Sequence, residues 1–278
     1  MTSAKNKITA IVLATFLMLA AQTYAFSLIA KRGDCPRAPE NSVEAAKLSW
    51  KAGVKVLEAD FHITKSGKII CVNSEIELKE LSGCNKKISD MSNADIAKIS
   101  LSATKRWNRE YPYKVPLATL EDILKTIPAQ GSIIAEIRGY GRDFAEKFEL
   151  ARKSAGVPKD KIAVSCTNLG ELADFKSKSG GYTYYWSFYM NEQPNSVYPA
   201  ADDVAAKCKN LGIDGVIITN PKVVKYPEYI SILKKSGLKV YVAPVNTVEL
   251  TMELRNIGVD GVLAFNAAEL LKKFKPAR

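Results

Sequence analysis

GIDGVIITN at residues 212–220 and GVDGVLAFN at residues 258–266 are two copies of one pattern, a turn followed by a short apolar run. Such a run suits a strand that is buried on both faces, as strands are in parallel sheets. Similar apolar runs alternate with amphipathic segments on either side of these copies. The alternation predicts a parallel sheet whose strands are joined by helices.

Nine apolar runs are candidate strands. They cover residues 27–31, 56–61, 69–73, 133–138, 162–166, 182–189, 215–219, 240–245 and 261–265. A closed (β/α)8 barrel, the TIM barrel, needs eight strands, so one run is surplus, and the doubtful runs are 182–189 and 215–219. No Pro/Gly/Ser-rich linker divides the chain, so we predict one α/β barrel domain over residues 26–278, with residues 74–116 inserted after the third strand.

The first 25 residues have the pattern of a secretory signal peptide. Lys5 and Lys7 precede an apolar stretch, residues 8–21, which ends near small residues at Thr23 and Ala25. A membrane anchor is the alternative, but it needs about 20 apolar residues and this stretch has about 14. We therefore expect residues 1–25 to be removed, and the mature protein to be secreted or periplasmic without a stable membrane anchor.

Composition and charge indicate a globular protein that suits anionic partners. The 278 residues are 47% hydrophobic and 25% charged, which is typical of globular chains. The net charge of +11 becomes +9 once Lys5 and Lys7 are removed. A basic field favours phosphate-bearing ligands. The basic residues are scattered, without zinc-finger spacing or an arginine-rich tract, so we expect no nucleic-acid partner.

Five cysteines follow the expected signal peptide. None forms a CxxC pair, which argues against metal–thiolate or thioredoxin-like chemistry. In an exported protein they can oxidise, and an odd number leaves at least one thiol free. A bridge among Cys35, Cys71 and Cys84 is one expectation, and the sequence does not select the pair.

Acidic side chains cluster at the ends of two predicted strands. Alternation along the second candidate strand places Glu58, Asp60 and His62 on one face. Neighbouring carboxylates repel unless a cation or protons intervene, and Ca²⁺ or Mg²⁺ would suit these oxygen ligands; a salt bridge to a lysine is the alternative. Glu136 and Arg138 occupy a similar strand end, which is the functional end of a barrel. A third carboxylate favours the metal site.

Several short motifs, taken in order, are similar to those of the glycerophosphodiester phosphodiesterase family. They are IAKRG at 29–33, PENS at 39–42, EAD at 58–60, TKSG at 64–67, EIR at 136–138 and GVDG at 258–261. The resemblance implies that Glu58, Asp60 and Glu136 hold a divalent metal, Ca²⁺ or Mg²⁺, which would neutralise phosphate oxygens. It also implies that Arg32 contacts phosphate and that Arg138 stands where the family has lysine.

Two positions depart from this family pattern. Lys31 and Asn73 stand where the family has the histidines that transfer protons. An amide does not exchange a proton near neutral pH, and a charged lysine is a poor base. Each lost acid–base group typically costs about 10² to 10⁴ in rate. We therefore expect impaired hydrolysis in a protein that binds a divalent cation and a phosphodiester, either a small molecule or a lipid headgroup.

An active phosphodiesterase with a changed acid–base group or substrate is the alternative function. His62 is the candidate for that group, although a variable, non-catalytic residue is the stronger interpretation. The aromatic run at residues 184–189 fits either a headgroup pocket or the core, and the core is favoured. APVN at residues 243–246 stands where the family often has WTVN, so we expect one wall of the glycerol pocket to differ.

Overall fold

The computed structural model of the protein describes residues 26–141, 143–193 and 196–274. The strands are β1 Ser27–Lys31, β2 Val56–Ile63, β3 Ile69–Cys71, β4 Ser132–Gly139, β5 Ile162–Cys166, β6 Thr183–Phe188, β7 Asn191–Gln193, β8 Ser196–Tyr198, β9 Gly215–Ile218, β10 Lys239–Val242 and β11 Gly261–Ala264. The helices are α1 Val43–Lys51, α2 Glu75–Ser82, α3 Asn93–Lys98, α4 Leu120–Leu124, α5 Phe144–Ser154, α6 Leu169–Lys178, α7 Ala201–Leu211, α8 Pro227–Lys235, α9 Val248–Asn256 and α10 Ala267–Phe274. The expected signal peptide, residues 1–25, lies outside the described residues.

Eight strands of the described chain close into a parallel barrel. Their order is β1, β2, β4, β5, β6, β9, β10 and β11, and β11 pairs with β1 to complete the ring. The predicted (β/α)8 barrel is therefore confirmed. Within the described ranges, no helix is long and apolar enough to cross a membrane.

The surplus candidate strand is β3. The prediction that residues 182–189 or 215–219 are the surplus run is therefore wrong. β3 pairs antiparallel with the end of β2 and lies outside the barrel, whereas residues 182–189 and 215–219 supply the barrel strands β6 and β9. The insertion thus follows the third strand of the chain, and it joins the second and third strands of the barrel. A short hairpin, β7 and β8, follows β6.

The repeated Asp-Gly pattern has one structural role in both copies. The carboxylate of Asp214 accepts the backbone N–H of Tyr184 at 2.8 Å, and that of Asp260 accepts the N–H of Val240 at 2.7 Å. Each aspartate therefore satisfies a backbone donor of a neighbouring strand. The glycine that follows is required by space, because a Cβ at Gly261 would lie 2.3 Å from a carbonyl oxygen of β1.

In the part of the chain that the structure describes, three hydrophobic cores stabilise the fold. The largest lies between the barrel and its helices, and a smaller one fills the barrel with side chains such as Ile29, Tyr185 and Leu263. The third belongs to the insertion, residues 74–116, whose apolar side chains pack on Ile70 and Val72. The insertion therefore packs on β3.

The aromatic run of β6 belongs mainly to the core, as predicted. Tyr184, Tyr185, Trp186 and Phe188 are buried, and Tyr189 is exposed. Tyr185 faces the barrel interior, where its ring centroid lies 5.3 Å from that of another tyrosine.

No disulfide links the cysteines, all five of which lie within the described residues. Cys35, Cys71 and Cys84 are free thiols, as are the other two, and all but Cys84 are buried. The expected bridge among the first three is therefore absent from the structure.

Candidate active site

Three carboxylates meet at the mouth of the barrel. Glu58 and Asp60 lie on β2, and Glu136 lies beside Asp60 on the neighbouring β4. One oxygen from each falls within 4.8 Å of the others, and all three side chains are buried. We call them the acidic triad. The convergence predicted from strand alternation is confirmed.

Lys31 and Arg138 form ion pairs with the two glutamates of the acidic triad. Lys31, at the end of β1, places its Nζ 2.9 Å from Glu58 Oε1. Arg138 on β4 places an NH1 nitrogen 2.9 Å from Glu136 Oε1, and its Nε lies 3.9 Å from Asp60 Oδ1. Both pairs lie in a partly or fully buried setting, where an unpaired charge would be costly.

The charged neighbours shift the proton affinities at the site. Burial opposes the charge on Lys31, but Glu58, Asp60 and Glu136 together raise the pKa of its ammonium above the ordinary value. Burial likewise opposes the charge on Asp60, but the nearby cations lower its pKa. Lys31 is therefore a fixed positive charge rather than a base.

Arg32 is surrounded by carboxylates. Its Nε lies 2.9 Å from Asp60 Oδ2, and its NH1 donates to both Glu40 and Glu77 at 2.9 Å. The guanidinium also lies over the ring of Phe265, 5.5 Å from its centroid. Arg32 has a φ of 57°, in the left-handed region, and residues in that region are enriched at functional sites.

Asn41 and Glu77 extend this hydrogen-bond network. Asn41, with a φ of 57°, donates its amide to Asp60 Oδ2 at 3.1 Å and to Glu77 Oε1 at 3.0 Å. Glu77 Oε1 also accepts the backbone N–H of Asn73 at 3.1 Å. Sequence reasoning missed Glu77. Its only signal was its place three residues after Ser74, which indicates a helix cap rather than a site residue.

Asn73 and His62 lie next to each other beside the insertion. His62 Nε2 is 2.9 Å from the backbone carbonyl oxygen of Asn73, and its Nδ1 side packs so closely on Gly139 that a Cβ there would lie 2.3 Å away. Burial lowers the pKa of His62. The imidazole is therefore wedged between two backbone segments, which supports a structural role over a compensating catalytic one.

A cavity of about 310 Å³ opens beside Arg32. It is lined by Cys35, Pro36, Glu40, Arg106 and Phe265. Its size falls at the small end of ligand pockets. Arg106 comes from the insertion, and its NH1 lies 3.4 Å from Glu40 Oε2, so the insertion contributes a cation to the mouth.

The acidic triad has the chemistry of a site for a hard divalent cation. All its donors are carboxylate oxygens, the ligands preferred by Ca²⁺ and Mg²⁺. Asp60 Oδ1 is buried and accepts no hydrogen bond from the described residues, so it has a lone pair to offer. The donor set therefore fits such an ion, which Glu58, Asp60 and Glu136 would hold.

Buried carboxylates and cations gather at the carboxyl ends of the barrel strands. That is the face where barrel enzymes have their active sites. The chain belongs to the glycerophosphoryl diester phosphodiesterase family, whose sequence model matches residues 32–264. Enzymes of this family generally depend on Ca²⁺ or Mg²⁺, and the acidic triad could hold such an ion.

Individual relatives are distant in sequence and similar in fold. A glycerophosphodiester phosphodiesterase of Caldanaerobacter subterraneus is 22% identical over 258 residues, which cover 88% of this chain and 96% of that protein. The structure of an Oleispira antarctica phosphodiesterase in complex with its product sn-glycerol-3-phosphate has a TM-score of 0.73 and 18% identity, covering 90% of this chain and 97% of that one. A glycerophosphodiester phosphodiesterase of Thermotoga maritima has a TM-score of 0.69 and 19% identity, covering 89% and 98%.

Proposed function

We propose that this protein binds a phosphate-bearing ligand, a glycerophosphodiester or a lipid headgroup, at the barrel mouth and hydrolyses it poorly. The observation that carries the proposal is the charge arrangement. The acidic triad and the cations Arg32 and Arg138 are in place, whereas Lys31 and Asn73 stand at the two proton-transfer positions. The sn-glycerol-3-phosphate complex of the Oleispira antarctica relative supports the ligand class.

Impaired hydrolysis follows from what the two replacement residues do. Lys31 holds its ammonium on Glu58 at 2.9 Å, and Asn73 has an amide that neither gives nor takes a proton near neutral pH. Without positioned acid–base groups, two losses of about 10² to 10⁴ each leave little turnover. Binding does not need those groups, because Arg138 and Arg32 can meet a phosphate through charge and hydrogen bonds.

A divalent cation, Ca²⁺ or Mg²⁺, held by Glu58, Asp60 and Glu136 is part of this proposal. It would supply charge neutralisation of the phosphate oxygens. We further propose that the protein acts outside the cytoplasm, secreted or periplasmic, because of the leader-like residues 1–25. We propose neither a nucleic-acid partner nor a stable membrane anchor.

Calorimetry and a turnover assay together test the proposed function. We expect sn-glycerol-3-phosphate to bind the wild type and to bind Arg138→Met at least about tenfold more weakly, since a charge-assisted hydrogen bond is worth about 1.5 to 3 kcal/mol. Lys153→Met, an exposed change on α5, should bind as the wild type does. Glycerophosphocholine hydrolysis, followed with Ca²⁺ and Mg²⁺ separately, should stay far below ordinary enzymatic rates. Ordinary turnover would contradict impaired hydrolysis, and no binding would contradict the ligand class.

A further inference from the structure

The ammonium of Lys31 lies against Glu58, one member of the acidic triad. Glu58 is fully buried, and the Lys31 side chain is only 12% exposed. Lys31 Nζ donates a hydrogen bond to Glu58 Oε1 at 2.9 Å, and the backbone N–H of Arg32 donates one to Glu58 Oε2 at 3.1 Å. Both oxygens of this carboxylate are therefore engaged by the protein itself.

The charges of the triad are already balanced. Lys31 is paired with Glu58, and Arg138 with Glu136. Asp60 is paired with a guanidinium at 2.9 Å. A divalent cation that entered this set would lie close to a buried ammonium, and like charges a few ångströms apart repel by several kcal/mol at the effective dielectric of a protein.

We propose that Lys31 is a tethered cation that competes with a divalent ion for Glu58. An ammonium 2.9 Å from Glu58 Oε1 repels a divalent ion at the same carboxylate, so the ion binds there more weakly while Lys31 stays in place. This inference rests on the proposed cation site of the acidic triad. Its consequence is that the native fold does not need a metal, and that divalent ions bind the wild type weakly.

Neutral replacements of Lys31 test the competition. Lys31→Met removes the charge, and Lys31→Gln removes it while keeping a hydrogen-bond donor for Glu58. Lys55→Met is the matched control, because Lys55 is exposed and precedes β2 at the opposite end of the barrel. Full-length mature protein is titrated with CaCl₂ and with MgCl₂ by calorimetry, and its melting temperature is measured with either ion or with EDTA.

Removing the ammonium leaves Glu58 buried and uncompensated, which is destabilising. We therefore expect both Lys31 variants to melt below the wild type in EDTA and to be restored by Ca²⁺ or Mg²⁺ through mass action. Their affinity for the ion should exceed that of the wild type at least about tenfold, as expected for loss of a nearby like charge. The wild type and Lys55→Met should melt alike, with little response to EDTA.

The outcomes separate this inference from the proposed function. Equal ion affinity in the wild type and both Lys31 variants would overturn the competition and leave the cation site standing. No ion binding by any folded variant would overturn the competition together with the cation part of the proposed function. If Lys31→Met folds only when Ca²⁺ or Mg²⁺ is present, the competition is supported, and Lys31→Gln supplies the affinity measurement.

Discussion

Replacing Glu77 with alanine should destabilise the whole fold. Glu77 accepts hydrogen bonds from the Asn41 amide at 3.0 Å, the Asn73 backbone at 3.1 Å and the Arg32 guanidinium at 2.9 Å. Neutral hydrogen bonds are worth about 1 kcal/mol each and charged ones about 1.5 to 3. Since Arg32 keeps two other carboxylate partners, we expect a loss near the lower end, about 3 kcal/mol.

Thermal unfolding followed by circular dichroism measures this loss. For a domain of this size, about 1 kcal/mol lowers the melting temperature by about 2 to 4 °C, so Glu77→Ala should melt about 6 to 12 °C below the wild type. Glu80→Ala is the control, because Glu80 is exposed on the same helix and such changes stay within about 0.5 kcal/mol. Equal melting of the two variants would refute the reasoning.

The pH dependence gives a second readout for the same residue. Burial raises the pKa of Glu77 to about 8. The negative charges of Asp60 and Glu40 act in the same direction, and the positive charge of Arg32 opposes them. An acid whose pKa is raised by folding contributes stability at low pH and loses it as the pH rises through about 8. Glu77→Gln cannot ionise at this position. Its free energy of unfolding should therefore rise relative to that of the wild type between about pH 5 and pH 9. A difference that stays constant with pH would contradict the shift.

Two further predictions concern the chemistry and the scaffold. The double change Lys31→His with Asn73→His should raise phosphodiesterase activity about 10²-fold or more, and the single changes much less, since an acid and a base act as a unit; a folded, ion-binding double variant no faster than the wild type would count against it. Asp260→Ala should lower the free energy of unfolding by about 3 kcal/mol in a urea titration, because the buried backbone N–H of Val240 and two lysines, Lys234 and Lys239, each lose an acceptor. The exposed Asp203→Ala should change it little, and a similarly small effect at Asp260 would be contrary evidence.

The sequence predicted the barrel and the acidic triad because both depend on local patterns. Alternation along β2 fixes the common face of Glu58 and Asp60, and parallel neighbours bring Glu136 to the same end. The surplus strand could not be chosen in this way. β3 is as apolar as a barrel strand, and only its long-range antiparallel pairing, which supports the insertion, removes it from the ring.

The ionic partners within the site were also beyond the sequence. Lysine and arginine side chains reach several carboxylates, so the residue type does not select the partner. Lys31 was identified as a changed position, but its contact with Glu58 depends on how β1 and β2 are registered. Glu77 was missed because its site contacts come from the orientation of α2 rather than from any motif.

The insertion is not a detachable module. Its helix α2 supplies Glu77, which shares Arg32 with the barrel, and its Arg106 pairs with Glu40 at the rim. A minimal barrel made by deleting residues 74–116 would lose the buried Glu77 carboxyl from the inside of the mouth and the Arg106 cation from its edge. Such a truncation would therefore change the charge at the barrel mouth, even where every strand of the ring stayed in place.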